Sequence, residues 1–141
     1  MSLEIRKGTL ADVESFVKLG KIMHEESAFS SVKWNQAKVM KFGAVAVTHK
    51  DFCTWGADDN GVPVAMVIAQ VVPYYFSDEL RLCDHLWYID KNYRGSDLAK
   101  QLIDKLVEFA KEKGVKEIYS GVSTGIDIYR PHALLESKGF E

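Results

Sequence analysis

The feature that most constrains the fold is a strand that leads, through a short loop, into a long amphipathic helix. Residues 80–90, LRLCDHLWYID, predict a strand that ends at Asp90. A helix then follows from Ser96 and is closed by Gly114, because apolar residues recur at i, i+3 and i+4 spacing. These residues are Leu98, Ala99, Leu102, Ile103, Leu106, Phe109 and Ala110. A further strand at 116–122, KEIYSGV, predicts a βαβ crossover and therefore a parallel strand pair in an otherwise antiparallel sheet.

The first part of the chain predicts one strand and two helices. A short strand begins at LEIRK and is broken by Gly8. Thr9 and Asp12 are spaced as in a capping box, so we expect a helix that runs to about Glu26. A second helix, with weaker periodicity, is predicted over residues 34–47.

The middle of the chain predicts a β-hairpin. Asn60-Gly61 is a strong turn signal, because both central residues of a type I′ turn need a positive φ. Residues 64–69 are apolar at every position, so this strand is expected to be covered on both faces. A last helix is predicted within residues 130–140 and stopped at Gly139. The predicted order is β-α-α-β-β-β-α-β-α in a single domain, residues 1–141.

Composition is that of a globular protein and excludes several classes. With 47% hydrophobic and 27% charged residues and a net charge of −2, the chain gives no general electrostatic reason to bind nucleic acid or an anionic membrane. Cys53 and Cys83 are the only cysteines and do not form a CxxC motif, so we expect free thiols and no structural zinc. No leader or membrane-spanning stretch is recognisable, which predicts a cytoplasmic protein.

The loop between the predicted strand and helix is a candidate anion site. Arg94, Gly95 and Ser96 precede a helix N-terminus, where backbone N–H groups and the helix dipole favour a phosphate. The Gly-Lys-Ser/Thr of a P-loop is absent, and a GxGxxG dinucleotide fingerprint has only Gly95 available. Two interpretations stay open. The amides of residues 94–99 cradle a pyrophosphate, or the segment is a plain turn in which Ser96 caps the helix.

A longer stretch of sequence resembles a known family. Residues 86–114, LWYIDKNYRGSDLAKQLIDKLVEFAKEKG, resemble the acetyl-CoA-binding segment of the GNAT-type N-acetyltransferases, where a strand leads through an Arg/Gln-x-x-Gly-x-Gly/Ala loop into a helix. Arg94 takes the first position and Ala99 the last, whereas Asp97 replaces the middle glycine. The resemblance extends from EIRKGTLAD to the closing LLESKGF. MHEES and GVSTGID are similar to a bacterial and phage branch of this superfamily.

The resemblance implies an α/β fold of the α+β kind. A mixed, mostly antiparallel central sheet would carry helices on both faces. The chain ends at Glu141, where most relatives continue into two more strands, so we expect those strands to be lacking. A sheet edge left exposed in this way favours a homodimer.

The resemblance also implies acetyl-CoA as the cosubstrate, with no metal. The strand would pair its backbone with the pantetheine arm, and the loop would hold the pyrophosphate. The carboxylate of Asp97 either weakens that binding or is turned to solvent. The implied cofactor-binding residues are Leu86, Trp87, Tyr88, Ile89, Arg94, Gly95, Ser96, Asp97, Leu98, Ala99, Ser123 and Thr124.

The implied reaction is direct attack of a primary amine on the thioester within a ternary complex. Asp84 or His85, just upstream of the cofactor strand, is a candidate general base. Leu135 occupies the position of the tyrosine that donates a proton to the CoA sulfur in the family. Because leucine cannot donate a proton, Tyr129 is the candidate general acid. Glu25 and Glu26 either contact a cationic acceptor or form a solvated helix end. The alternative is a GNAT-fold module that binds CoA or a protein and has weak or no catalysis.

Overall fold

The computed structural model describes residues 3–94, 97–115 and 117–119, and in this part of the chain five strands form one sheet in the order β1-β2-β3-β4-β5. The strands are β1 (Leu3–Lys7), β2 (Phe52–Asp59), β3 (Val62–Pro73), β4 (Leu80–Ile89) and β5 (Ile118–Tyr119). The helices are α1 (Val13–Glu26), α2 (Gln36–Thr48) and α3 (Leu98–Lys113). Single 3₁₀ turns at Leu10–Asp12 and Lys91–Tyr93 precede α1 and α3.

The sheet topology confirms the predicted crossover. Strands β1 to β4 are antiparallel neighbours, whereas β5 lies parallel to β4, with Leu82 opposite Ile118 and Cys83 opposite Tyr119. Helix α3 makes the connection between the two parallel strands. The helix predicted within residues 130–140 lies outside the described residues.

The ends of the helices follow local capping signals. The carboxylate of Asp12 accepts from the backbone N–H of Thr9 at 2.8 Å, as the capping-box spacing predicted. Helix α2 begins at Gln36, two residues after the predicted start, because Asn35 is the N-cap and accepts from the N–H of Lys38 at 3.0 Å. Gly114 ends α3 with a φ of 70° in the left-handed region.

The central strand is covered on both faces, as predicted. Every residue from Val64 to Ala69 is buried. Met66 packs against Phe16 and Leu19 of α1. Val67, one residue later and on the opposite face, belongs to the cluster formed with α3. Burial of one such side chain stabilises the fold by about 1.5–3 kcal/mol.

The turn and the cysteines also match their predictions. Asn60 and Gly61 have φ values of 51° and 85°, so both central residues of the hairpin turn are in the left-handed region. Cys53 and Cys83 are free thiols. Burial raises the pKa of Cys53 to about 12, which keeps this thiol protonated and unreactive at neutral pH.

Candidate functional site

A β-bulge in β4 organises the candidate site. Ile68 lies opposite Leu86 and Ala69 lies opposite Asp84, so two consecutive residues of β3 face three residues of β4. His85 is the additional residue, and no residue of β3 lies directly opposite it in the register. A bulge of this kind interrupts the strict alternation of side chains and redirects the additional residue.

The alternation of side chains along β4 separates the two candidate bases, which are adjacent in the sequence. Asp84 is paired with Ala69, which belongs to the cluster under α3, so Asp84 lies on the α3 face of the sheet. The ring of His85 instead contacts Phe42 of α2, on the other face. Only His85 therefore lies on the face that carries α1 and α2.

The ring of His85 is held by an amide and two aromatic side chains. Its Nε2 lies 2.8 Å from Oε1 of Gln70. Phe52 stacks on the ring at 5.7 Å between centroids and 15° between planes, and Phe42 meets it edge-on at 5.2 Å. Burial lowers the pKa of His85, and the nearby charge of Asp84 opposes this shift. At neutral pH the imidazole is therefore uncharged and able to accept a proton.

Among the described residues, the outer edge of β4 has no strand partner next to the bulge. Within the described part of the chain, β5 pairs only with Leu82 and Cys83. Beyond them, the outward-facing N–H and C=O groups of residues 84–89 have no strand partner among the described residues. An extended ligand can add to such an edge by backbone hydrogen bonds.

The side chains of this strand are part of the core. Leu86 and Tyr88 pack under α1, whereas Trp87 and Ile89 pack against the cluster under α3. Tyr88 is 3% exposed. A ligand along this edge would therefore meet mainly the backbone of these four residues, as the sequence predicted.

A carboxylate of α1 joins the end of β4 to the loop that follows. The hydroxyl of Tyr88 donates to Glu26, and Nη2 of Arg94 lies 3.3 Å from Oε1 of the same carboxylate. Arg94 also donates from Nε to the carbonyl of Ile89 at 2.8 Å. Burial is the main reason that the pKa of Tyr88 is raised, and the hydrogen bond to Glu26 adds to it. Glu26 thus contacts two residues predicted for the cofactor.

The loop after β4 begins with a turn and leads to α3. Asp90 accepts from the N–H of Asn92 at 3.0 Å and so begins the turn. Asp97 occupies the N-cap position, makes no capping bond with its side chain and is exposed. Leu98 is buried and Ala99 half-buried, so these residues offer mainly their backbone to a ligand. The predicted site residues Gly95, Ser96, Ser123, Thr124 and Tyr129 lie outside the described residues.

A strand that leads through a loop into a long helix is the arrangement that the family resemblance implied. A family model described as "Acetyltransferase (GNAT) family" matches residues 19–134. The chain belongs to the GNAT acetyltransferase family. Acetyl transfer is therefore its general chemistry.

Solved GNAT structures share the fold of this GNAT protein at low sequence identity. An AAC(6')-Iy structure in complex with the bisubstrate analogue CoA-S-monomethyl-acetylneamine has a TM-score of 0.76 at 17% identity, covering 100% of this chain and 92% of the other. A predicted acetyltransferase with acetyl-CoA from Clostridium acetobutylicum has a TM-score of 0.76 at 18% identity, covering 99% and 90%. A ribosomal-protein-alanine N-acetyltransferase from Brucella melitensis has a TM-score of 0.67 at 19% identity, covering 96% and 89%. No curated protein matches the sequence significantly.

Sequence reasoning missed the residues that hold His85 in this GNAT acetyltransferase. Gln70 is the first polar residue after the apolar run of β3, and that break in the pattern is the one signal that could have drawn attention to it. Phe42 and Phe52 look like ordinary core residues in the sequence. Their contact with His85 depends on the pairing of β2 with β3 and on the packing of α2 against the sheet, which no local pattern predicts.

Proposed function

We propose that this GNAT protein is an N-acetyltransferase that transfers the acetyl group of acetyl-CoA to a primary amine by direct attack in a ternary complex. The observation that carries the proposal is the position of His85 on β4, whose outer edge beyond Cys83 has no strand partner among the described residues. A neutral histidine next to a strand edge supplies a base and backbone donors in one place.

Acetyl-CoA would lie along β4. The amides of residues 94–99 and the N-terminus of α3 suit the pyrophosphate. From Ile89 back to His85 the strand advances four residues, about 13 Å at about 3.3 Å per residue. The extended pantetheine arm can follow this edge, so the thioester would lie near His85. Solved relatives with acetyl-CoA and with a CoA bisubstrate analogue support this cosubstrate.

The chain's residues then have distinct roles in the transfer. His85 takes a proton from the ammonium group of the acceptor, and the free amine attacks the carbonyl carbon of the thioester. The new N–C bond forms, the C–S bond breaks, and CoA leaves as the thiolate. A backbone N–H of β4 would stabilise the oxyanion. Asp84 lies on the other face, so His85 is the better candidate, and Tyr129 stays the proposed acid.

The acceptor is proposed to be a cationic amine that approaches from the end of α1. Both oxygens of Glu26 already accept from other residues, and the adjacent Glu25 is exposed to solvent as well. Glu25 is thus better placed to contact a cation. Solved relatives with the fold include aminoglycoside acetyltransferases.

The same proposal includes a cytoplasmic homodimer, as the sequence suggested. No helix in the described part of the chain is long and apolar enough to cross a membrane. Light scattering after size-exclusion chromatography tests the oligomeric state. A mass of one chain at micromolar concentration would contradict the dimer.

Calorimetry with acetyl-CoA tests the cofactor site. We expect micromolar binding by the wild type and none by Gly95→Glu, because the added carboxylate repels the pyrophosphate. Tyr75→Glu is the matched control, since Tyr75 is 100% exposed and precedes β4 at the other end of the strand. No binding by the wild type at millimolar acetyl-CoA would contradict the proposal.

Thiol release in the presence of a panel of amines then tests the reaction. Turnover with at least one primary amine, and its loss in His85→Ala, are the expected results. Binding of acetyl-CoA without turnover on any amine would favour the alternative, a CoA-binding module without efficient catalysis.

A further inference from the structure

Gln70 stands out because of its position in β3. It follows the fully buried run from Val64 to Ala69 and lies opposite Cys83 of β4 and Phe52 of β2. An amide in such a row needs a polar partner, because an unpaired polar group next to a core is costly. That partner is His85 of β4, with 2.8 Å between Oε1 of Gln70 and Nε2 of His85.

The chemistry of the amide oxygen decides which ring nitrogen carries the proton. A carbonyl oxygen can only accept a hydrogen bond, so Nε2 of His85 must be the donor. In a neutral imidazole the other nitrogen, Nδ1, then has the free lone pair. This orientation of the Gln70 amide, with Oε1 facing the ring, therefore favours the Nε2–H tautomer of His85.

The aromatic neighbours fix the ring plane without competing for its protons. Phe52 stacks on the ring from β2, and Phe42 approaches it edge-on from α2. Neither side chain has a hydrogen-bonding group. Among titratable groups, Asp84 precedes His85 on β4 and His49 lies beyond Phe52, with 5.9 Å between those two rings. Cys83 lies opposite Gln70.

We propose that Gln70 is a positioning residue for catalysis, which holds His85 in the Nε2–H tautomer so that Nδ1 is the atom that accepts the proton of the acceptor amine. This inference rests on the proposed function, because it takes His85 as the general base. Gln70 acts through His85 and does not itself touch the acceptor.

Nitrogen NMR of the histidine rings tests the tautomer without any substrate. In the wild type above the pKa of His85, we expect the shift pattern of a single Nε2–H tautomer. In Gln70→Leu the preference should weaken, so that the fraction of the Nδ1–H tautomer rises. Gln101→Leu is the matched control, because Gln101 is an exposed glutamine on α3 and its loss should leave the pattern unchanged. An Nδ1–H tautomer in the wild type, or an unchanged pattern in Gln70→Leu, would overturn the inference.

Kinetics of two variants test the consequence for the reaction. Gln70→Leu should lower kcat by about tenfold or more, with the KM for acetyl-CoA unchanged, because general-base catalysis depends on the correct protonation site. Gln70→Glu keeps the acceptor atom but adds a negative charge. It should therefore raise the pKa of His85 by about one unit and move the acid limb of kcat/KM upward by the same amount.

The outcomes separate this inference from the proposed function. Turnover that is unaffected by His85→Ala and by both Gln70 variants would overturn the role of Gln70 and leave acetyl transfer intact. A wild type that shows the Nε2–H tautomer, lost in Gln70→Leu, but acetylates no amine would support the Gln70–His85 bond and contradict the proposed function.

Discussion

Nη2 of Arg94 lies 3.3 Å from Oε1 of Glu26, so the loop after β4 is tied to the last residue of α1. The second carboxylate oxygen of Glu26 accepts a hydrogen bond from the hydroxyl of Tyr88. The ring of Tyr88 lies 5.6 Å from the guanidinium of Arg94. One carboxylate thus connects the helix proposed to meet the acceptor with the strand and loop proposed to hold acetyl-CoA. Removal of the Glu26 carboxylate should therefore lower the stability of the protein more than it lowers the rate of acetyl transfer.

Glu26→Ala is expected to destabilise the protein by about 1–3 kcal/mol, because the buried hydroxyl of Tyr88 loses its acceptor. Urea denaturation measures the free energy of unfolding. Glu25→Ala is the matched control, since the adjacent Glu25 is exposed, and its effect should stay within about 0.5 kcal/mol. Equal effects of the two substitutions would show that the carboxylate of Glu26 does not stabilise this cluster.

Acid should weaken the contact between Arg6 and Asp12. The two side chains approach to 2.6 Å, and the hydrogen bond from Arg6 lowers the pKa of Asp12 below its ordinary value. The folded state therefore binds the proton less well than the unfolded chain, and this stability is present above about pH 4 and lost as pH falls through the lower folded pKa.

Asp12→Asn should lower the free energy of unfolding at pH 7 by about 2 kcal/mol and make it less dependent on pH below 4. Denaturation midpoints at pH 7, 4 and 3 measure both effects. Glu14→Gln is the control, because the ion pair of Glu14 with Lys18 is long, at 3.9 Å, and exposed. An acid slope equal to that of the wild type would contradict the role of Asp12.

Gly56 is required because the side chain of Phe16 and the backbone of Ala65 lie too close to leave room for a Cβ atom. A Cβ atom there would lie 2.8 Å from Cζ of Phe16 and 3.2 Å from the carbonyl oxygen of Ala65. Gly56→Ala should therefore destabilise the protein by about 1–3 kcal/mol through overpacking. Thermal unfolding measures the change.

Gly20→Ala is the contrasting variant, because in α1 the nearest atom to an added Cβ is Cε of Met66 at 3.4 Å, an ordinary contact. The better helix propensity of alanine should raise stability by up to about 1 kcal/mol. A Gly56→Ala protein as stable as Gly20→Ala would show that the core at Phe16 adapts freely.

The partial desolvation of His85, whose ring packs against two phenylalanines, should extend activity to lower pH. Because its pKa is lowered in the folded state, the ring stays neutral below about pH 6.5, the ordinary histidine value. The acid limb of kcat/KM should thus begin below pH 6.5. His85→Gln should lower kcat/KM and remove that limb. A limb that persists in His85→Gln would assign it to another group.

The order of the elements was predictable from local patterns. The apolar spacing of α3, the positive-φ pair Asn60-Gly61 and the uninterrupted apolar run of β3 each report on neighbours a few residues away in the chain. The strand–helix–strand order predicted the parallel pairing of β5 with β4, because the handed crossover allows few alternatives.

The sequence by itself determined the order of the described elements and the crossover, since these depend on short-range propensity and periodicity. The tertiary structure alone decided that β4 has a bulge at His85, because a bulge depends on how two strands align. It also decided that Glu26 meets Arg94, 68 residues away, and that Gln70 meets His85, 15 residues away. Such pairs form only when packing brings separate elements together, and no local pattern in the chain records which side chains will then be neighbours.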